Sequence, residues 1–382
     1  MPLLYLQRWR RRDCRPWKEK GRSDILQDAT RARRVLKDIA SSLLLPWPAV
    51  TPSPTTQLVA LPIVVFFHGG ALTVGKRDSY IPSWIIDRVL SLGYAFVSAD
   101  YRLLIPTTAK EIIEDIQDAF QFVANNELPG QGYRFKLDGD RIAAAGNSAG
   151  GLCARLAAIH ATPRPKILID IYGQGGNFFT KYHLDIKPGE IKLRHMTIPH
   201  FDDAEFKSLT YPFSKGLPPV LTGANVDNYS TPESRENDAA NDLRIKMYPF
   251  LFQRGKYLDY YTGLHDPSIT DTLRNVLQRQ GSITDQDIKD IVPADMQDWF
   301  PQLSIDVNWP ATIMIHGTVD EIVPIEESRY LFEAIAAKSK SPVKLIEIKD
   351  DYAVHSWDCF PGAEAQSKAE FDSIKDFIQE HL

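Results

Sequence analysis

Apolar and polar residues alternate along much of this chain in blocks of two different periods. Residues 61–67, Leu-Pro-Ile-Val-Val-Phe-Phe, carry no polar alternation, the pattern of a strand covered on both faces of a parallel sheet. The block ends in His68-Gly69-Gly70, which reads as a turn. Residues 80–92 predict an amphipathic helix closed by Gly93, and residues 94–99 a second buried strand. In residues 109–126, Ile112, Ile113, Ile116, Ala119, Phe120 and Val123 recur at helical spacing. A third strand over 141–145 runs directly into Gly146-Asn147-Ser148-Ala149-Gly150-Gly151 and a helix over 152–161, and a fourth strand covers 166–172. Strands separated by helices predict an α/β fold, with a mostly parallel central sheet, flanking helices and right-handed crossovers.

The alternation then stops. Residues 174–307 hold short Pro-containing polar pieces, an aromatic-dense patch (Tyr248, Phe250, Phe252, Tyr257, Tyr260, Tyr261) and helical patterns at 271–279 and 285–291. It resumes with a strand at 311–315, a helix at 326–338, a strand at 343–348 and a terminal helix at 363–381. The expected organisation is therefore a core of residues 61–173 and 308–382, interrupted by a long insertion at 174–307 placed as a cap or lid. The aromatic patch has two open readings: it lines a substrate pocket with apolar surface, or it forms a small core of the insertion's own. Pro46, Pro48, Pro52, Pro54 and Pro62 exclude helix from residues 46–62. Residues 1–60 thus read as a basic N-terminal arm and a Pro-rich linker.

Composition narrows the function classes. The 382 residues include 44 Lys+Arg against 49 Asp+Glu, which gives no basic field for holding a nucleic acid. No apolar run approaches the roughly 20 residues of a membrane span. Cys14, Cys153 and Cys359 are widely spaced and form no zinc-ligand pattern, so no metal is expected, and a reducing compartment is the simpler expectation. Arg8, Arg10, Arg11, Arg12, Arg15, Lys18, Lys20 and Arg22 are not followed by the apolar stretch of a secretory signal. A cytoplasmic location is expected, with an organelle-transit role for the basic start as the alternative. The sequon Asn228-Tyr229-Ser230 has little meaning without a secretory route.

The candidate chemistry lies at the strand ends. Gly146-Asn147-Ser148-Ala149-Gly150 fits G-x-S-x-G with a strand before it and a helix after it. A serine on such a turn is exposed at a helix N-terminus, where free N–H groups favour an anion. Serine needs a base oriented by a third group. Asp320 follows the 311–315 strand, and His355 follows the 343–348 strand, in the chain order Ser, Asp, His that this arrangement uses. His316 and His381 are the competing histidines, and Glu321, Asp350 and Asp351 the competing acids. The loop His68-Gly69-Gly70-Ala71 follows the first core strand, where its amides are free to lean over the serine.

These segments, with Asp100-Tyr101-Arg102-Leu103 and His316-Gly317-Thr318-Val319-Asp320, resemble an α/β-hydrolase and, within that fold, the hormone-sensitive-lipase type of carboxylesterase (the α/β-hydrolase fold-3 group). The resemblance covers 61–173 and 308–382. It implies nucleophile Ser148, base His355, acid Asp320, and an oxyanion hole from the amides of Gly70, Ala71 and Ala149, with His68, Gly69, Gly146 and Gly150 as motif support. Two departures stand out: Ala71 replaces the third glycine usual in the family, and Ser148 lies unusually far from Asp320. Ester hydrolysis through an acyl-enzyme needs no cofactor or metal, and the expected partner is a small-molecule ester or lactone. The alternatives are a lactonase, thioesterase or cyclising acyltransferase of secondary metabolism, and, from another class, a non-catalytic ligand-binding receptor on a hydrolase scaffold.

Overall fold

A computed structural model describes residues 43–44, 59–129, 134–194, 196–213, 217–220 and 243–382. The basic arm, most of the Pro-rich linker, Cys14 and the sequon lie outside the described residues.

The strands are β1 Leu43–Leu44, β2 Val59–Phe67, β3 Ala95–Ala99, β4 Glu127–Pro129, β5 Arg134–Asn147, β6 Ile167–Ile171, β7 Ile191–Lys192, β8 Thr197–Ile198, β9 Ala311–Gly317 and β10 Val343–Ile348. All but β7 and β8 form one eight-stranded sheet, in the order β1-β3-β2-β5-β6-β9-β10, with β4 pairing β5 off this path. The five junctions from β3 to β10 are parallel. Only the short strands β1, against β3, and β4, against β5, add antiparallel pairs. β7 and β8 form a separate two-stranded ribbon.

In β2, Ile63, Val65 and Phe67 face one apolar cluster and Val64 and Phe66 another, which explains the unbroken apolar run of that strand. The second cluster lies under α1 (Ser83–Ser91) and a C-terminal helix carrying Phe371, Ile374, Phe377 and Ile378. Trp84 stacks on Phe371 there at 4.2 Å. Over the other face pack α2 (Ala109–Asn125) and α3 (Ala149–His160). The insertion supplies α4 (Lys181–Leu184), α5 (Asp203–Phe206), α6 (Leu243–Arg254), α7 (Tyr257–Thr262), α8 (Ile269–Gln280) and α9 (Asp285–Ile291). α10 (Ile325–Lys338), α11 (Ala363–Gln366) and α12 (Lys368–His381) follow.

The structure differs from the sequence reading at several element boundaries. β2 begins at Val59, so Pro62 lies inside a strand; it sits at the register shift between Leu61 and Ile63, where an irregular ladder tolerates a residue with no N–H. β5 is far longer than 141–145, because its polar first half, including Asp138 and Asp140, lacks the apolar run that marks a buried strand. α1 starts at Ser83 rather than at residue 80, since Pro82 excludes Ile81 from helix. The terminal helix is two helices, broken at Ser367 (ψ 27°). α6 and α7 carry aromatics without a clean polar face, and α6 contains Pro249, so neither shows a helical period. β1 adds a short edge strand within the segment read as arm and linker.

Candidate active site

Ser148 caps α3 directly after β5, with φ 52° and ψ −122°. Its N–H donates to the Ile171 carbonyl at 2.9 Å, and its own carbonyl accepts from Gly151 N (3.0 Å) and Gln174 N (2.9 Å). This bend requires Gly146: a Cβ there would sit 2.1 Å from the Gly150 carbonyl oxygen. Asn147, immediately before the serine, donates from its side-chain amide to the Tyr80 carbonyl at 2.8 Å. The hydroxyl is thus carried on a turn whose backbone is held from both sides.

The structure brings Ser148, His355 and Asp320 into one line. Ser148 Oγ lies 3.0 Å from His355 Nε2, and His355 Nδ1 lies 2.7 Å from Asp320 Oδ2. A carboxylate only accepts, so Nδ1 carries the proton and Nε2 is left to accept from the serine. Asp320 is buried, and its other oxygen accepts from the amides of Ile322 and Val323, each at 2.9 Å. Burial alone would raise this carboxyl's pKa; the charge of His355, and hydrogen bonding from His316 and His355, hold it well below the usual carboxylate range.

The competing groups sit elsewhere. His316, fully buried in β9, donates from Nε2 to the Val323 carbonyl at 2.8 Å and accepts at Nδ1 from Ser328 Oγ at 2.7 Å. It braces the Asp320 loop without reaching the serine. His381 lies in the last turn of α12. Glu321 accepts from the Arg194 amide, and Asp351 pairs with the Arg194 side chain at 2.8 Å.

The His68–Ala71 loop approaches the serine closely, since a Cβ on Gly69 would lie 3.2 Å from Ser148 Cβ. Among the described residues no acceptor takes the amide N–H of Gly70, Ala71 or Ala149. Their directions follow from the carbonyls one residue back, because a trans peptide sets its N–H opposite its C=O. The Gly69 carbonyl accepts from His68 Nδ1 at 2.7 Å. That of Gly70 accepts from Thr73 N (2.9 Å) and Val74 N (3.1 Å). Burial lowers the pKa of His68, and its ring stacks on Tyr101 at 4.3 Å. The Tyr101 hydroxyl in turn donates to the His68 carbonyl at 2.7 Å, a contact that the Asp100-Tyr101-Arg102-Leu103 segment carries but does not announce by spacing.

Residues of the insertion reach this centre. Phe178, Met247, Phe250, Tyr257, Tyr261 and Phe300 belong to the same apolar cluster as Ala149 and Leu152 of α3. The buried Tyr248 hydroxyl has no hydrogen-bond partner among the described residues. Burial raises its pKa far above the usual phenol value, and the charges of Glu327 and Asp320 add to the effect. Glu327 of α10 gathers the start of the insertion: Oε2 accepts from the amides of Gly175 (2.6 Å) and Gly176 (2.9 Å), while Oε1 pairs with His183 Nε2 at 2.7 Å. Glu327 and Tyr257 carry no motif, because their partners are more than a hundred residues away in sequence.

Among the described residues no group of His, Cys, Asp and Glu has the arrangement of a metal site. No helix there is long and apolar enough to cross a membrane.

Comparison with known proteins gives three kinds of match. The family described as BD-FAE matches residues 52–178, which include the His68–Ala71 loop and Ser148 but neither Asp320 nor His355. "Probable carboxylesterase M8" of a Phoma species is 32% identical over 118 residues, 29% of this chain and 37% of that protein. The non-reducing polyketide synthase adrD of Penicillium rubens is 24% identical over 347 residues, 84% of this chain and 12% of the synthase. The matched parts are therefore well under half of these relatives' own lengths. Among solved structures, an α/β-hydrolase superfamily protein from Enterococcus faecalis superposes with a TM-score of 0.51 at 17% identity, covering 86% of this chain and 93% of its own.

Proposed function

We propose, from the premise that this chain belongs to the α/β-hydrolases, that it is a serine hydrolase cleaving a carboxylic ester through an acyl-enzyme. The observation that carries this reading is the hydrogen-bonded line from Ser148 Oγ through the His355 ring to Asp320 Oδ2. In the first step the Ser148 hydroxyl attacks the ester carbonyl and His355 Nε2 takes its proton. The amides of Gly70, Ala71 and Ala149 hold the oxyanion, at a cost of about 3–4 kcal/mol for each donor removed. His355 then protonates the departing alkoxide, and a water, deprotonated by the same nitrogen, cleaves the acyl-enzyme. Asp320 stays ionised, fixes the imidazole tautomer and stabilises the imidazolium. The insertion covers this centre, and its aromatic residues favour a hydrophobic acyl or alcohol portion. The Ala71 methyl narrows the acyl side.

One observation favours a second reading. The polyketide synthase aligns with far more of this chain than the carboxylesterase does, which supports a polyketide-derived acyl group, presented as a thioester or a lactone. The same three residues serve both readings. Initial rates on p-nitrophenyl esters of graded acyl length, set beside N-acetylcysteamine thioesters of the same acids, distinguish them. The ester reading expects the p-nitrophenyl series to be cleaved faster, and a preference for the thioesters supports the second reading. Activity that survives Ser148→Ala contradicts both.

A further inference from the structure

We propose that Tyr257, a residue of the insertion, is a positioning residue for the oxyanion hole; this rests on the serine-hydrolase reading above. Gly70, Ala71 and Leu72 have φ of 115°, 52° and 61°. Two of the three carry side chains, which disfavour that backbone, so the loop keeps its shape only where neighbours hold it. Each of the three carbonyls is held by a different donor. The Gly70 carbonyl takes Thr73 N and Val74 N from its own loop, and that of Leu72 takes Leu104 N at 2.7 Å from the core. The Ala71 carbonyl takes the Tyr257 hydroxyl, at 3.1 Å, from α7.

That third contact fixes the peptide between Ala71 and Leu72, and with it the ψ of Ala71, at a residue whose N–H the serine-hydrolase reading assigns to the oxyanion. Tyr257 is well placed to hold it. Its ring is buried and packs against Tyr248 at 5.5 Å and Phe178 at 5.8 Å. Burial raises its pKa well above the usual phenol value, so the hydroxyl stays a donor across the working pH range. The insertion therefore takes part in transition-state stabilisation as well as in covering the substrate.

Tyr257→Phe removes this one hydroxyl and leaves the ring. The matched control is Thr262→Val, which removes a buried hydroxyl from the same helix that donates to the Leu258 carbonyl at 2.7 Å and lies outside the oxyanion loop and the aromatic patch. With p-nitrophenyl butyrate, Tyr257→Phe is expected to lower kcat about tenfold with KM changed by no more than about twofold. It should weaken inhibition by a trifluoromethyl ketone, which forms a tetrahedral oxyanion adduct, by the same factor as kcat/KM. Thr262→Val is expected to leave kcat and this inhibition unchanged. An unchanged kcat in Tyr257→Phe overturns the positioning role, as does an equal loss in both variants, provided the wild type is labelled by a fluorophosphonate. A wild type that takes no label and cleaves no ester overturns the serine-hydrolase reading itself.

Discussion

The backbone of Ser148 sits in a region that residues with side chains avoid, at a cost on the order of 1–3 kcal/mol, offset by hydrogen bonds to its N–H and carbonyl from β6 and the loop after it. Asp320 is held as firmly, by two amides and two imidazoles. Asp320→Asn is expected to lower kcat by about 10⁴, because an amide cannot hold the same His355 tautomer; steady-state kinetics on a p-nitrophenyl ester checks it. The sign of the pH effect on stability follows from the depressed pKa of this carboxyl. The contribution is complete above the unfolded value of about 3.9 and is lost as the pH falls from there toward the folded value. Denaturant unfolding should thus show the stability gap between wild type and Asp320→Asn shrinking between about pH 5 and pH 2, and a constant gap would contradict the assignment. The meeting of Ser148, Asp320 and His355 was legible in the sequence because each follows a strand end of the one sheet. The contacts of Tyr101, Tyr257 and Glu327 were not, because each is made to a segment that no local spacing links to it: Tyr101 and Tyr257 to one carbonyl each, Glu327 to two amides and His183.

At the level of elements, α3, β6 and the first residues of the insertion are tied by one cation. Arg155 of α3 is buried, pairs with the buried Asp170 of β6, and donates to the Gln174 carbonyl. Arg155→Ala strands the Asp170 charge and is expected to cost about 3–5 kcal/mol of stability, whereas Arg155→Met with Asp170→Leu is expected to recover most of it; urea midpoints of the two variants check this. The core elements were readable wherever burial on both faces leaves a mostly apolar run, as in β2, β3, β6 and β9. Readability failed where an element is polar or aromatic along its length. The first half of β5 is polar and gains its partners from β2 and β4, and α6 and α7 are gathered by the ring packing of Phe206, Phe250, Tyr257 and Phe178.

For the molecule as a whole, the insertion and the sheet share one apolar cluster that runs from Ile63 through Leu152 to Tyr261 and Trp309. A separate small core for the aromatic patch, one of the two readings open from sequence, does not describe this packing. Deleting residues 175–305 is therefore expected to abolish cooperative unfolding, measured by circular dichroism, because it removes part of the sheet's own cover. A soluble, cooperatively folding deletion variant would contradict that continuity. The central claim is that Ser148 is an activated nucleophile in this fold, and the most direct measurement is fluorophosphonate labelling of the full chain followed by peptide mass spectrometry. The account predicts a single adduct on Ser148, absent in Ser148→Ala and slowed at least about a hundredfold in His355→Ala. An unlabelled wild type, or an adduct on another residue that persists in Ser148→Ala, would contradict it.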